Sequence, residues 1–172
     1  TDWSENLLLD KVQQIKYKSG LQLTNKTNCQ AQFTPGTIIQ NTSEINITNS
    51  LQTLNPLNAR ILYRKDSVAN KKGYDWSVFD PTSLADILYY RTGNNVGYNS
   101  YGENGWSVVA AFANYYVPYW VVATNCSSTP IMVIVGQDQY STLTEAQYQS
   151  RFDKLALENF IIRGFKPLYR LI

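Results

Sequence analysis

Apolar positions recur three or four apart near the start of the chain. Leu8, Val12 and Ile15 share one helical face, Asp2 or Ser4 can cap it, and Ser19-Gly20 stops it. Residues 4–16 are therefore expected as a helix. From about 21 to 72 the period shortens to two. Leu21-Gln-Leu-Thr and Ile45-Asn-Ile-Thr alternate, Thr34-Pro-Gly-Thr37 reads as a turn, and Ala59-Arg-Ile-Leu-Tyr-Arg64 reads as a strand after the break at Asn55-Pro56. Helical spacing returns at Leu84, Ile87, Leu88 and Arg91. Asp80 is placed to cap that helix, Pro81 fits its first position, and Gly93 ends it.

Residues 93–105, GNNVGYNSYGENG, read as a polar loop. Residues 106–113 and 117–124 read as neighbouring strands joined near Asn114-Tyr-Tyr, and Ile131–Val135 as a strand buried on both faces. Thr142-Leu-Thr-Glu145 is a capping box. It opens a helix on which Tyr148, Phe152 and Leu155 line one side. Phe165–Ile172 closes the chain as a strand, on an edge because Pro167 cannot donate to a ladder. The pattern predicts an α+β fold: a mostly antiparallel β-sheet with two or three helices in a single domain. An N-terminal helical segment (1–20) precedes the α+β domain (21–172).

Composition moves the picture toward a surface protein. Charged residues make up 16% of the 172, below the usual quarter, while Tyr numbers 13 and Trp 4. Asn, Gln, Ser, Thr and Tyr must supply the polar surface. The net charge is +2, with acids and bases interspersed, so no basic stripe marks a nucleic-acid partner. No apolar run approaches the ~18 residues of a membrane span, so membrane insertion is not expected. The chain begins at Thr1 rather than Met, which reads as a processed or excised chain with any signal peptide already removed.

Histidine is absent, which excludes Ser-His-Asp and Cys-His catalysis and the commonest metal ligand. No motif for a cofactor or metal is present, and none is expected. Cys29 and Cys126 have two readings. In an extracellular protein they pair, closing a long loop worth roughly 4–5 kcal/mol by chain entropy; otherwise they are two unrelated buried thiols. Four N-glycosylation sequons start at Asn25, Asn41, Asn46 and Asn125.

Asp75, Asp80, Asp86 and Glu103 flank the aromatic-rich middle, and a glycosidase needs two carboxylates at the right distance. Each has a simpler role. Asp80 is a cap, Asp86 suits the helix dipole, and Asp75 and Glu103 are solvated loop charges. The loop aromatics say more. Trp76, Tyr98 and Tyr101 cluster in sequence with Asn95 and Asn99, and aromatic faces with amides suit a saccharide: sugar C–H faces stack on rings and hydroxyls need amide partners. These five are the candidate ligand-binding residues. Trp106 is expected in the core beside them.

The C-terminal third carries GQDQYSTLTEAQ (136–147), then a helix, an apolar run and GFKPLYRLI (164–172). Together with Asp75-Trp-Ser-Val-Phe-Asp-Pro-Thr82 and Ser19-Gly-Leu-Gln-Leu-Thr24, these motifs resemble the C-terminal region of phage and other viral tail-fibre proteins. The resemblance implies a non-enzymatic, homotrimeric receptor-binding head on the virion surface, attaching to host-surface glycan or protein. The cysteines and sequons depart from a bacteriophage fibre and fit a virus of a eukaryotic host. No family binding residue carries over, because fibre heads contact receptors through variable loops. Gly136, Gln137 and Tyr140 are accordingly expected to be scaffold. The alternative is a secreted, extracellular, disulfide-bonded glycoprotein with a lectin-like or structural role.

Overall fold

The computed structural model describes residues 15–26, 30–48, 59–66, 76–79, 89–126, 130–157 and 164–172. In chain order they form β1 (Ile15–Gly20), β2 (Leu23–Lys26), β3 (Gln30–Phe33), β4 (Gly36–Gln40), β5 (Ser43–Ile47), β6 (Ala59–Arg64), β7 (Trp76–Phe79), β8 (Arg91–Thr92), β9 (Asn95–Gly102), β10 (Gly105–Ala110), β11 (Tyr119–Thr124) and β12 (Ile131–Ile134). Helix α1 (Leu143–Gln149), a 3₁₀ turn (Phe152–Lys154) and β13 (Phe165–Leu171) follow.

A five-stranded sheet in the order β13-β11-β12-β6-β7 is the backbone of the fold. Its pairings are antiparallel except β12–β6, which run parallel. Every residue of β11 and β12 is buried. Tyr-Trp-Val-Val-Ala-Thr and Ile-Met-Val-Ile have apolar side chains in both alternating rows, so both sheet faces must be covered. Val121, Ala123, Ile131, Val133 and Ile61 pack against Ile15, Leu21, Phe33, Ile38 and Ile47 from β1 to β5. Trp120, Val122, Met132, Ile134 and Leu62 form the opposite row, packed by Phe152, Leu155, Leu157 and Phe165. Burying each such aliphatic side chain contributes about 1.5–3 kcal/mol. Trp120 and Phe152 meet edge to face at 5.5 Å between ring centroids.

Two smaller sheets (β1-β4-β5 and β10-β9-β8) and the β2–β3 ribbon complete the strands. Tyr169 of β13 ties the ribbon down: its hydroxyl donates to the Leu21 carbonyl (3.0 Å) and accepts from Leu23 N–H (3.2 Å).

The mostly antiparallel character expected from the sequence is present, and β6, β12 and the edge position of β13 match the pattern. The helices differ. Among the described residues there is one α-helix. Ile15 and Lys16 open β1 instead of ending a helix, and Tyr89–Arg91 are not helical; residues 1–14 and 80–88 lie outside the described residues. Helix α1 stops at Gln149, because Ser150 turns extended and its hydroxyl donates back to the Ala146 carbonyl. Tyr148 is consequently 81% exposed, while Phe152 and Leu155 reach the core from beyond the helix.

The largest correction concerns residues 93–110. The expected polar loop is a β-hairpin, β9–β10, turning at Glu103-Asn104, and β10 pairs with β9 and not with β11. Gly105 makes the turn possible. Its φ is +87°, and a Cβ there would sit 2.1 Å from the Asp66 carboxylate. Gly136 is needed for close approach and not for turning: a Cβ would meet the Pro118 carbonyl oxygen at 1.9 Å.

Candidate functional site

Of the five residues singled out in the sequence, the four whose side chains are described, Tyr98, Tyr101, Asn95 and Asn99, do not converge. Asn99 is fully buried, and its side chain acts as a strand substitute: Oδ1 accepts from Arg64 N–H (2.6 Å) and Nδ2 donates to the Arg64 carbonyl (2.8 Å). Its amide is consumed by the scaffold. Tyr98, on the opposite side of β9, is half-buried and accepts from Gln139 Nε2 (3.2 Å). Asn95 is exposed and donates to the Ala111 carbonyl (3.1 Å). Tyr101 is 65% exposed at the hairpin end, 5.4 Å from the Trp106 ring. Trp76 lies in β7 opposite Arg64, and its side chain is outside the described residues.

Trp106 is half-buried and carries the Arg64 guanidinium 4.6 Å above its ring. Arg64 is only 3% exposed and also donates to the Ala156 carbonyl (3.2 Å). Of the flanking carboxylates, Glu103 is exposed at the hairpin turn; Asp75, Asp80 and Asp86 lie outside the described residues. Asn41, Asn46 and Asn125 are exposed, whereas the Asn25 side chain is not described. Cys126 is half-buried against the Trp120 side of the sheet, and Cys29 is outside the described residues, as is any bond between them.

A second candidate lies where the chain leaves β12. An open cleft of about 430 Å³ is bounded by three elements. The segment after β12 supplies Asp138, Gln139 and Tyr140; α1 supplies Glu145 and Gln149; the turn before β11 supplies Tyr115. Tyr116 and Tyr140 hold the first and third together through paired backbone bonds of 2.8 and 2.9 Å. Gln139 braces them, accepting from Phe112 N–H (2.8 Å) while donating to the Tyr98 hydroxyl.

The turn itself is tight. Tyr115 N–H donates to the Phe112 carbonyl (3.1 Å), and Asn114 takes a positive φ of 66°, which asparagine tolerates. Phe112 and Tyr115 thereby stand edge to face, 5.3 Å apart, on the surface. Phe112 is 66% exposed. Lys154 closes the far side of the cleft, its ammonium donating to the Gln149 carbonyl (3.0 Å). A narrower recess lined by Trp120, Gln137 and Ser150 shares Asp138, Tyr140 and Lys154 with it.

The electrostatics follow from these contacts. The Ser141 hydroxyl donates to the Glu145 carboxylate at 2.7 Å, and the nearby backbone N–H groups of Thr142 and Ser141 add to it, so Glu145 is held below the ordinary carboxylate range. Burial, and then the charge of Asp138, push the Tyr140 phenol up, with Arg170 opposing. At neutral pH the cleft thus presents a protonated phenol, an ionised carboxylate at Glu145 and two amide side chains. Its chemistry is hydrogen bonding and ring stacking.

The sequence contained part of this site. Gly136-Gln-Asp-Gln-Tyr140 follows an apolar strand directly, which is where open sheets expose loop residues, but Gly136, Gln137 and Tyr140 were expected to be scaffold. Gln137 is indeed scaffold, exchanging two hydrogen bonds with the backbone of Ala156 (2.7 and 3.1 Å). The convergence of Tyr115 with Asp138–Glu145 depends on the Tyr116–Tyr140 bridge, which no local pattern announces.

No family model matches the chain, and no curated protein and no solved structure matches it either.

Proposed function

We propose that this chain is a non-enzymatic surface module that binds glycan in the cleft between the Tyr140 segment, α1 and the Phe112–Tyr115 turn. The observation that carries this is that two aromatic side chains, Tyr115 and Tyr140, line a cleft together with amides and carboxylates. Rings offer flat apolar faces to sugar C–H groups, and the amides and carboxylates meet the hydroxyls. A depressed Glu145 is unsuited to be the general acid of a glycosidase, which needs its pKa raised. Glycan-array screening followed by calorimetric titration tests the proposal. Tyr115→Ala should weaken binding roughly three- to tenfold, the usual worth of one aromatic contact. A chain that binds no glycan refutes it.

Attachment of a virion fibre to a host surface is the biological setting we propose for this module, on the strength of the C-terminal motifs. It requires a homotrimer, which light scattering measures directly. A monomer at working concentration removes the fibre setting and leaves the glycan site standing.

The alternative, a secreted disulfide-bonded glycoprotein, draws support from the exposure of Asn41, Asn46 and Asn125, the acceptors of three sequons. It predicts glycan at these positions and a Cys29–Cys126 bond. Intact mass before and after reduction and deglycosylation decides it, and an unmodified mass with both thiols open to alkylation removes it.

A further inference from the structure

The charges around the cleft restrict what can enter it. Asp138 and Glu145 both line it, from the segment after β12 and from α1. One cation, Lys154, stands opposite, with its ammonium already donating to the Gln149 carbonyl. Arg151, in the adjoining recess, is engaged by Asp153 through two contacts of 3.0 and 2.5 Å. Arg170 lies behind Tyr140, donating to the Ser150 carbonyl at 2.6 Å and facing the Trp120 ring. Among the described residues lining the open cleft, Asp138, Glu145 and Lys154 therefore sum to a single negative charge.

Ionised carboxylates only accept hydrogen bonds, and they accept best from charged or polarised donors. Sugar hydroxyls and ammonium groups are donors. A ligand carboxylate or sulfate brings acceptor against acceptor and like charge against like charge, which is how a site rejects a competitor.

We propose, building on the glycan-binding reading, that this cleft selects non-anionic saccharides, neutral or amine-bearing, and rejects those carrying carboxylate or sulfate groups. At a separation near 4–5 Å in a solvent-exposed cleft, one like charge weakens affinity on the order of tenfold. The effect is screened as salt is raised.

The test is a calorimetric titration of the full chain with three sets of oligosaccharides of matched length: neutral hexose oligomers, partly deacetylated chitin oligomers and uronic acid oligomers. The expected result is binding of the first two sets, with the uronic acid set about tenfold weaker at low salt. High salt narrows that gap. The double variant Asp138→Asn, Glu145→Gln closes it, read as the ratio of neutral to uronic acid affinity within that variant, so that a change in neutral binding itself does not enter. Asp138→Asn alone narrows it in part, and serves should the double variant unfold, because Asp138 is an exposed loop residue. Uronic acid oligomers that bind as tightly as neutral ones, with both weakened by Tyr115→Ala, overturn the selectivity and leave the glycan site intact. Failure of every oligomer to bind overturns both.

Discussion

At the scale of single residues, Asn99 and Glu145 show polar side chains in opposite employment. Asn99 is buried to bond the Arg64 backbone at both its N–H and its carbonyl, linking β9 to β6 where no strand ladder runs between them. Asn99→Ala leaves both backbone groups buried without that partner. We expect a loss of about 2–4 kcal/mol, taking about 1–2 per orphaned group, read from urea denaturation of the two proteins. A change within experimental error would mean that water replaces the amide freely.

Glu145 is only partly covered, and its interest lies in pH. Its folded-state pKa is depressed, so its stabilising contribution is present above the unfolded carboxylate pKa and is lost as pH falls through the folded one. The urea midpoints of the native chain and Glu145→Ala should therefore converge on acidification through the carboxylate range. A gap that stays constant or widens in acid contradicts the assignment. The sequence marked Glu145 as part of a capping box but gave no sign that Asn99 is buried, because the Arg64 backbone it bonds belongs to β6, which is remote in the chain.

Among the elements, legibility followed the strength of the local signal. Strand β6 and the α1 capping box were readable because each carries its own period or cap chemistry. Thr142 accepts from Glu145 N–H at 3.1 Å as the box requires. Replacing Thr142 by Ala should cost about 1 kcal/mol of stability, measured by thermal or chemical unfolding. Tyr140 and Glu145, which line the cleft near the cap, should show matching shifts in NMR spectra. The β9–β10 hairpin was hidden because its strands are rich in Gly, Asn and Ser, residues that ordinarily mark loops. It forms regardless, since its interior contacts come from outside: Tyr119 donates its hydroxyl to the Gly97 carbonyl (2.6 Å), Asp66 pairs with Trp106, and Gly136 accepts from Asn99 N–H. The Tyr119 phenol is pushed far up by burial, so it remains a donor across the working pH range. Aromatics with amides were sought in the hairpin; tertiary pairing sets a second such group, Tyr115 and Tyr140 with Gln139 and Gln149, beside α1.

For the molecule as a whole, β11 and β12 are the interior of a layered structure, with small sheets on one face and the C-terminal segment on the other. Their amides should be the slowest to exchange in hydrogen-exchange mass spectrometry, and those of the two-residue strand β8 among the fastest. Uniform protection would contradict a core centred on these strands. The parallel seam between β6 and β12 has a further consequence, for the time course of folding. Ala59 lies beside Ile131, and Leu62 beside Ile134, so β6 has no β12 partner until the chain has been made through residue 134. Until then Ile61 and Leu62 remain uncovered on that edge, and closing so long a loop is slow. A nascent chain emerging from the ribosome is thus most prone to aggregate in the interval between the appearance of β6 and that of β12. The arrival of Ile131–Ile134 gives β6 its parallel partner, after the Arg64–Asn99 and Asp66–Trp106 links have become available to it.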